Sequence, residues 1–291
     1  MISVSEAQNS IFKSVSSSKQ ETILISKSSG FVLSKSIFCP LDLPPFDQSA
    51  MDGYAIKTED ILNATKIRIA GESSAGKSFT KKIKRGQAIR IFTGAEIPAG
   101  ADAVVMQEKI SVKADQLFIA DENIFPGLNI RKKGSHIKKG TLAISKGTIL
   151  TPAAIGLLAS MGLKIIPVFK KPAVAIIVTG NELQKPGTKL SRGKIYESNA
   201  VTLESALKQS GTENLKTFFA KDNEQQTKNI FKKSLKGYDF ILFSGGISVG
   251  DYDFVGTVLR KEKVKEVFYK VKQKPGKPLY FGTKNKKYIY I

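Results

Sequence analysis

The spacing of apolar residues changes near residue 170 of this 291-residue chain. Before that point, short alternating apolar runs stand between Gly, Pro and Asp residues, which predicts a β-rich region over 41–139. After it, short apolar runs alternate with segments of helical spacing, which predicts right-handed crossovers and a doubly wound parallel sheet from 171 onward. The predicted strands there cover 173–179, 215–220 and 241–243, and the predicted helices cover 199–209, 223–235 and 253–261.

The flanking segments complete the domain prediction. Helical spacing at Ile11 and Val15 precedes a short apolar run at 23–25. The segment 151–161 predicts a helix that is capped by Thr151 and has Pro152 in its first turn. We therefore expect a multidomain α/β and β fold in which the β-rich domain is inserted into an N-terminal domain. The predicted domains are 1–40 plus 140–170, 41–139 and 171–291.

Two of the predicted strands run into loops of Gly and polar residues. The first is followed by Gly180-Asn181-Glu182, and the second by Ser244-Gly245-Gly246 with Ser248 shortly after. Loops at the carboxyl ends of strands form the ligand crevice of open α/β sheets, and glycine lets the backbone approach a phosphate closely. The alternative interpretation is an ordinary Gly-rich turn between a strand and a helix.

Carboxylates gather at the same predicted edge of the sheet, in a chain that is poor in acidic residues. Carboxylates beside scattered hydroxyls predict a Mg²⁺ site that is shared with substrate phosphates, and not a closed protein cage. The alternative is helix N-capping, which suits Asp222 and Asp253 equally well. The carboxylates concerned are Glu182, Asp222, Asp251 and Asp253.

A lysine-rich segment follows at 269–278. Lys270, Lys272 and Lys274 recur at every second position, so on a strand they would share one face. The dipeptide Pro275-Gly276 then predicts a turn that presents Lys277. Ammonium groups on one face would attract a phosphate or another tetrahedral oxyanion. The alternative is a solvated edge strand that its lysines protect from pairing.

The segment 71–78, GESSAGKS, matches the pattern of a phosphate-binding P-loop. A P-loop has to open a helix, but the residues 79–87 show no apolar stripe before Gly86. The segment also belongs to the β-rich region, away from the alternating strands and helices. We therefore expect no NTPase site here.

The formal net charge of +21 first suggests a nucleic-acid partner. Of the 46 basic residues, however, 40 are Lys and only six are Arg, and Trp is absent. Proteins that read bases or bind RNA depend on Arg and on aromatic stacking. The composition therefore favours a solvated lysine-rich surface and anionic small-molecule substrates over nucleic acid.

The remaining composition is that of a globular protein, with 41% hydrophobic and 24% charged residues. We expect neither a secretory signal nor a membrane span, because no apolar run has the length or pattern that either requires. One cysteine, Cys39, and one histidine, His136, exclude an internal disulfide and a His/Cys zinc site within the chain. These features predict a cytoplasmic protein.

Seven blocks of sequence resemble the MoeA family of molybdopterin molybdenumtransferases, which is related to the gephyrin E domain. The blocks stand in the family's order and near its spacing, over nearly the whole chain. They are PPFDQSAMDGYAI (44–56), IFTGAEIPAGADAVVMQE (91–108), NIRKKG (129–134), VTGNELQKPG (178–187), KIYESN (194–199), SGGISVGDYDF (244–254) and KPGKP (274–278).

The resemblance implies an enzyme that takes adenylated molybdopterin and molybdate, inserts the metal with the help of Mg²⁺ and releases AMP. It also implies an elongated homodimer whose active cleft lies between the α/β domain of one subunit and the β-rich domain of the other. Contact with the molybdopterin adenylyltransferase is expected as well. The alternative function is a non-catalytic scaffold of the gephyrin type.

The resemblance also implies functional positions. His136 stands where the family often has an acid, and the family continues past Ile291 with a Pro-rich loop and a further β domain, so we expect a chain cut short within a strand. The expected catalytic residues are Asp52, Thr93, Glu182, Asp222 and Asp253. The expected metal ligands are Glu182, Asp251 and Asp253, and the expected substrate-binding residues are Ser244, Gly245, Gly246, Ser248, Lys270, Lys274 and Lys277.

Overall fold

A computed structural model describes residues 1–63, 65–246 and 254–291. The chain divides into two compact units. The first, the α/β unit, comprises Met1–Ile23, Lys27–Ser34 and Ile166–Ile291, and the second, the β-rich unit, comprises Leu24–Ser26 and Lys35–Ile165. The three-domain division made from the sequence stays a prediction. The expected site residues Ser248, Asp251 and Asp253 lie outside the described residues.

The described residues form the following helices and strands. The α-helices are α1 (Val4–Ser14), α2 (Thr58–Leu62), α3 (Pro152–Ser160), α4 (Asn199–Gln209), α5 (Glu224–Gly237) and α6 (Phe254–Lys261). The strands are β1 (Gln20–Leu24), β2 (Val32–Leu33), β3 (Ile37–Phe38), β4 (Gln48–Ser49), β5 (Gly53–Ile56), β6 (Ile67–Ser73), β7 (Gln87–Ile91), β8 (Ala103–Met106), β9 (Ile110–Lys113), β10 (Gln116–Ile119), β11 (Ile130–Arg131), β12 (Leu142–Ile144), β13 (Ile165–Phe169), β14 (Val174–Thr179), β15 (Leu183–Gln184), β16 (Ile195–Tyr196), β17 (Leu215–Ala220), β18 (Phe240–Ser244), β19 (Lys265–Tyr269), β20 (Tyr280–Lys284) and β21 (Lys287–Tyr290).

The α/β unit is built on a six-stranded sheet of order β17-β14-β18-β21-β20-β19. The first four strands in this order are parallel, as predicted. The predicted parallel pairing does not extend to β20, which runs antiparallel to both of its neighbours. The reason is the two-residue turn between β20 and β21, at Asn285 and Lys286, which is too short for a crossover and can only return the chain antiparallel.

Helices cover both faces of this sheet. On one face, Phe231 of α5 and Val255 of α6 pack on Ala175 and Ile177 of β14. On the other face, Ala200 of α4 packs against neighbouring β14 residues. Helix α1 contributes Ala7 to a further cluster around Phe268, Phe281 and Tyr288. Since all six residues of β14 are buried, the strand reads as a continuous apolar run, which is why the sequence predicted it well.

The β-rich unit contains a six-stranded sheet of order β8-β5-β7-β6-β10-β9. Inward residues on its two faces form two apolar clusters, one around Ile89 and Ile91 and the other around Ile56 and Val105. Helix α3 begins as predicted, with the Thr151 hydroxyl accepting from the Ala154 amide at 3.3 Å and Pro152 in the first turn. After β6 the chain forms an isolated bridge between Ser74 and Lys77, and the residues 78–86 that follow are not helical, whereas a P-loop opens a helix.

The lysine segment departs from its prediction. Strand β19 ends at Tyr269, and Lys270 has a φ of 69°, so the alternation that would place Lys270, Lys272 and Lys274 on one strand face does not form. The backbone amide and carbonyl of Lys270 instead pair with Leu279 and Ile2, which turns the chain into the loop 271–279. Lys274 and Lys277 are exposed on that loop.

Candidate functional site

The carboxyl ends of β14 and β17 lie side by side. The two strands are in parallel register up to the pair Thr179 and Ala220, so the loops that follow them leave the sheet at the same level. There the Asn181 amide donates to Asp222 Oδ2 at 2.9 Å, and the Asp222 amide donates to Asn181 Oδ1 at 3.2 Å. This reciprocal pair holds Asp222 beside the loop that carries Glu182, so two of the predicted carboxylate positions are brought to one edge of the sheet.

The end of β18 forms the third side of this edge. Ser244 Oγ is 3.0 Å from Asn199 Nδ2, at the start of α4. Gly246 has a φ of 78°, and a Cβ atom there would lie 2.3 Å from Val255 Cγ2, so only glycine fits without moving α6. A Cβ atom at Gly245 would lie 2.9 Å from the Thr179 carbonyl oxygen, because the backbone after β18 runs close to the end of β14.

A cleft of about 480 Å³ opens between these strand ends. Its polar side chains include Asn181, Lys194, Lys221 and Gln226, and its apolar wall includes Phe219. The Lys194 ammonium donates to the carbonyl of Asn181, which ties the lysine to the carboxylate loop. Sequence reasoning did not select Lys194, although it opens the block KIYESN that was aligned with the family.

A buried acid orders the start of α4. Glu197 is 4% exposed, and its Oε1 accepts from the Ala200 amide at 2.7 Å. It therefore caps α4, whose first residue, Asn199, contacts Ser244. Ser198 occupies the N-cap position, but its side chain makes no capping hydrogen bond. The longer Glu197 side chain reaches the free amide from one residue earlier.

The β-rich unit carries a second group of predicted residues. Asp52 Oδ1 accepts from both the amide and the hydroxyl of Thr93, each at 2.7 Å. These two donors, with the nearby Arg90 guanidinium, lower the pKa of Asp52 below its ordinary value. Arg90 is itself held by the Gly53 carbonyl at 2.8 Å. The carboxylate is thus kept ionised and oriented by neighbouring strands of one sheet.

A third group joins Asp47 to the two lysines that precede His136 in the chain. Asp47 accepts from Lys132 Nζ at 2.9 Å and from the Lys133 amide at 2.8 Å. Partial burial would raise the pKa of Asp47, but these donors and the Lys132 charge outweigh it and the pKa is lowered. The His136 amide donates to the Leu43 carbonyl at 2.9 Å, so the backbone here is fixed whatever the side chain.

Of the three predicted metal ligands, the structure describes only Glu182. Within residues 1–63, 65–246 and 254–291, no three or more His, Cys, Asp or Glu side chains are arranged to hold a metal ion. Asp251 and Asp253 fall outside these ranges, so the proposed set with Glu182 stays a prediction.

None of the helices that the described residues form combines the length and apolar character that a membrane crossing requires.

The α/β unit with its cleft at the strand ends corresponds to a known domain. Residues 175–290 match the family model described as a probable molybdopterin binding domain, so the chain is a protein of the molybdopterin-binding class. Residues 2–162 match the model of the MoeA N-terminal region, domains I and II. Together the two models cover most of the chain, and it belongs to the MoeA family, as its seven sequence blocks predicted.

Relatives of known name agree with this assignment. The molybdopterin molybdenumtransferase of Haemophilus influenzae is 35% identical over 284 residues, covering 97% of this chain and 70% of the relative. That of a Nostoc species is 36% identical over 292 residues, covering 97% of this chain and 67% of the relative. The crystal structure of the MoeA protein of Pyrococcus horikoshii matches with a TM-score of 0.83 at 31% identity, covering 100% of this chain and 74% of that one. The predicted fold class and family are confirmed.

Proposed function

We propose that the protein is a molybdopterin molybdenumtransferase that takes adenylated molybdopterin and molybdate, inserts the metal into the dithiolene and releases AMP. Its relatives carry the name of this activity, and the chain shares two matched domains with them. The scaffold function is not proposed, since the relatives named here are transferases. Molybdate and the pterin are substrates, and the substrate's own sulfurs ligate the inserted metal.

The observation that carries the proposal is the cleft at the ends of β14 and β17. Lys194 and Lys221 line it, and Asn181, which also lines it, is hydrogen-bonded to the carboxylate of Asp222. Ammonium groups offset the charge of substrate phosphates, and strand ends are where open α/β sheets bind such ligands. The glycines of the Ser244 loop leave room for the backbone to approach the substrate.

The acids at this edge suit Mg²⁺. Asp222 Oδ2 accepts from one amide and keeps lone pairs for a cation. A Cβ atom at Gly180 would lie 2.7 Å from Glu182 Oε2, so the carboxylate of Glu182 fills the space beside that glycine. Mg²⁺ prefers one or two carboxylates together with waters and phosphate oxygens. We propose Glu182 and Asp222, with Asp251 and Asp253, as its ligands; the bound ion would neutralise phosphate charge.

Other residues have supporting roles in this proposal. Asp52, held ionised by Thr93, is proposed as a catalytic residue on the resemblance to the family. Lys270, Lys274 and Lys277 would attract molybdate or substrate phosphates as separate cations, now from a loop and not from one strand face.

Replacing Asp222 by Asn tests the site. The amide oxygen of Asn can still accept from Asn181, so Asp222→Asn removes the charge but keeps the hydrogen bond. We expect AMP release at limiting Mg²⁺ to fall about tenfold or more, with part of the loss recovered at high Mg²⁺. The measurement is AMP release from adenylated molybdopterin at several Mg²⁺ concentrations.

The matched control is Asp121→Asn. Asp121 also accepts from a backbone amide, that of Asn123 at 3.1 Å, but it belongs to a loop of the β-rich unit. This variant should release AMP at the wild-type rate. Equal Mg²⁺ dependence in wild type and Asp222→Asn would contradict the assignment of Asp222 to the metal.

We also propose that the protein is a cytoplasmic homodimer and that it contacts the molybdopterin adenylyltransferase. The resemblance to the family supports the dimer, and the single buried thiol of Cys39 fits a reducing compartment. Light scattering after size-exclusion chromatography measures the subunit number. A monomer at all concentrations tested would contradict the dimer.

A further inference from the structure

A second cavity opens at the opposite end of the α/β sheet. It has a volume of about 470 Å³ and lies where β14, β18 and β21 begin. Since β14 is six residues long, this cavity is about 20 Å from the cleft at the strand ends. All its lining residues belong to the α/β unit. We call it the lysine pocket, defined by Lys19, Lys170, Lys171, Lys286 and Lys287 with Asp239, Phe240 and Tyr288.

The charge in the lysine pocket is strongly unbalanced. Lys287 is paired with Asp239 at 3.0 Å, and Lys171 is paired with Glu213 at 3.3 Å. Within the described part of the chain, no carboxylate lies within 4 Å of the ammonium groups of Lys19, Lys170 or Lys286. Three lysines without an ion-pair partner among the described residues therefore line a concave surface of ligand size, and the charge of Lys170 also acts on Asp239.

The acid in the pocket offsets one of its five lysine charges, so a net positive charge remains. Asp239 Oδ2 accepts from the Ala173 amide at 3.0 Å, and Oδ1 accepts from Lys287. Each oxygen thus accepts one hydrogen bond, from Ala173 just before β14 and from Lys287 of β21. The role of Asp239 is to fix the start of β14 and the position of Lys287, which forms one wall of the pocket.

The remaining walls are held in place before any ligand binds. The Lys170 amide donates to the Lys19 carbonyl at 2.8 Å, and Ser18 Oγ donates to the Lys170 carbonyl at 2.7 Å. The Ser16 amide donates to the Tyr288 hydroxyl oxygen at 2.9 Å, which fixes the aromatic floor. A site whose backbone is already ordered loses little entropy on binding.

Lys286 is set at the rim by an unusual backbone. It is the second residue of the two-residue turn between β20 and β21, with a φ of 59°. Glycine is favoured at this position of such a turn, and a lysine there has a conformational cost. Replacing Lys286 by glycine should therefore leave the fold intact while it removes the lysine side chain with its charge.

We propose that the lysine pocket binds a small molecule that carries two or more phosphate charges. Lysine ammonium groups act as point charges that suit tetrahedral phosphates, and five lysines line the pocket. Phe240 and Tyr288 offer an apolar floor to the rest of the molecule. This proposal does not depend on the transferase function.

The test is calorimetric titration of the whole protein with inorganic pyrophosphate, using wild type and Lys286→Gly. We expect wild type to bind, and the glycine variant to bind about fivefold more weakly because one cation is lost. Binding should also weaken with added salt. Unchanged affinity in Lys286→Gly would assign any pyrophosphate binding elsewhere and overturn the proposal, as would no binding by wild type at low salt.

Lys263→Gly is the matched control. Lys263 also has a positive φ, of 54°, and is exposed, but it does not line the pocket. The Lys263→Gly variant loses the same charge at another position of positive φ and should bind pyrophosphate with the wild-type affinity. An equal loss in both variants would show that overall charge, and not the pocket, attracts the anion. Citrate that binds as tightly as pyrophosphate would overturn the preference for phosphate.

Discussion

Gly53, next to Asp52, is the position where one added methyl group should do the most damage to the candidate site. The residue begins β5, and a Cβ atom there would lie 2.0 Å from the carbonyl oxygen of Val105 on β8. Real Cβ contacts essentially never come below 3.0 Å, so the two strands would have to separate by about 1 Å. The obstacle is backbone, which cannot rotate away as a side chain would.

The cost of Gly53→Ala follows from this separation. Overpacking in a tight core costs about 1–3 kcal/mol, and stretched hydrogen bonds of a buried ladder add about 1 kcal/mol or more. We therefore expect a loss of about 3 kcal/mol in the free energy of unfolding of the β-rich unit. With a denaturant slope near 2 kcal/mol per molar, the urea midpoint should fall by about 1.5 M. Asp52 would move with β5, so AMP release should fall too.

Urea denaturation followed by far-UV circular dichroism measures the midpoint, and Gly156→Ala provides the control. Gly156 lies within α3 of the same unit, and a Cβ atom there meets nothing within 4 Å. The same chemical change should stabilise the unit there by about 0.5–1 kcal/mol, because alanine favours a helix. Equal midpoints for Gly53→Ala and wild type would refute the steric argument.

Two further predictions concern hydrogen bonds at the site. Thr93→Val removes the hydroxyl donor but keeps the amide donor, so the pKa of Asp52 should rise partway toward its ordinary value, as measured by carboxyl NMR titration. A pKa of Asp52 that is unchanged by Thr93→Val would contradict the role of the hydroxyl. Because the folded-state pKa of Asp52 is lowered, this carboxylate stabilises the fold above its unfolded-state pKa. That stabilisation is lost as the pH falls through the folded-state pKa. Glu197→Ala should lower the free energy of unfolding by about 1 kcal/mol and speed hydrogen exchange of the amides in the first turn of α4. Ser198→Ala should have neither effect, and Glu197→Gln should keep most of the protection against exchange. Faster exchange in Ser198→Ala than in Glu197→Ala would show that the cap has been misassigned.

The sequence predicted the local elements well where one physical signal dominated. Helix α4 and strand β17 begin and end at the predicted residues, because helical spacing and a short apolar run are each unambiguous there. Residue type predicted the capping contacts at helix boundaries less reliably. Ser198 is a favoured capping residue by type, but in the structure the Glu197 carboxylate accepts from the Ala200 amide instead.

The lysines show the same limit in another form. Period two at Lys270, Lys272 and Lys274 is a strand pattern, but β19 ends one residue earlier at Tyr269. The segment leaves the sheet because Lys270 takes a positive φ and its backbone groups pair outside the β19–β20 ladder. Periodicity reports which residues could share a face, and only tertiary pairing decides whether the strand continues.

For this protein, the sequence by itself determined the family, the alternation of strands and helices, and the residue types at the strand ends. These properties depend on local spacing and on ordered blocks that a single chain displays. The tertiary structure alone decided which distant residues meet: the Asn181–Asp222 pair, the contact of Asn199 with Ser244, and the convergence of Lys19, Lys170 and Lys286. The physical reason is that sheet order and register bring together loops far apart in the chain, and no local pattern encodes that distance.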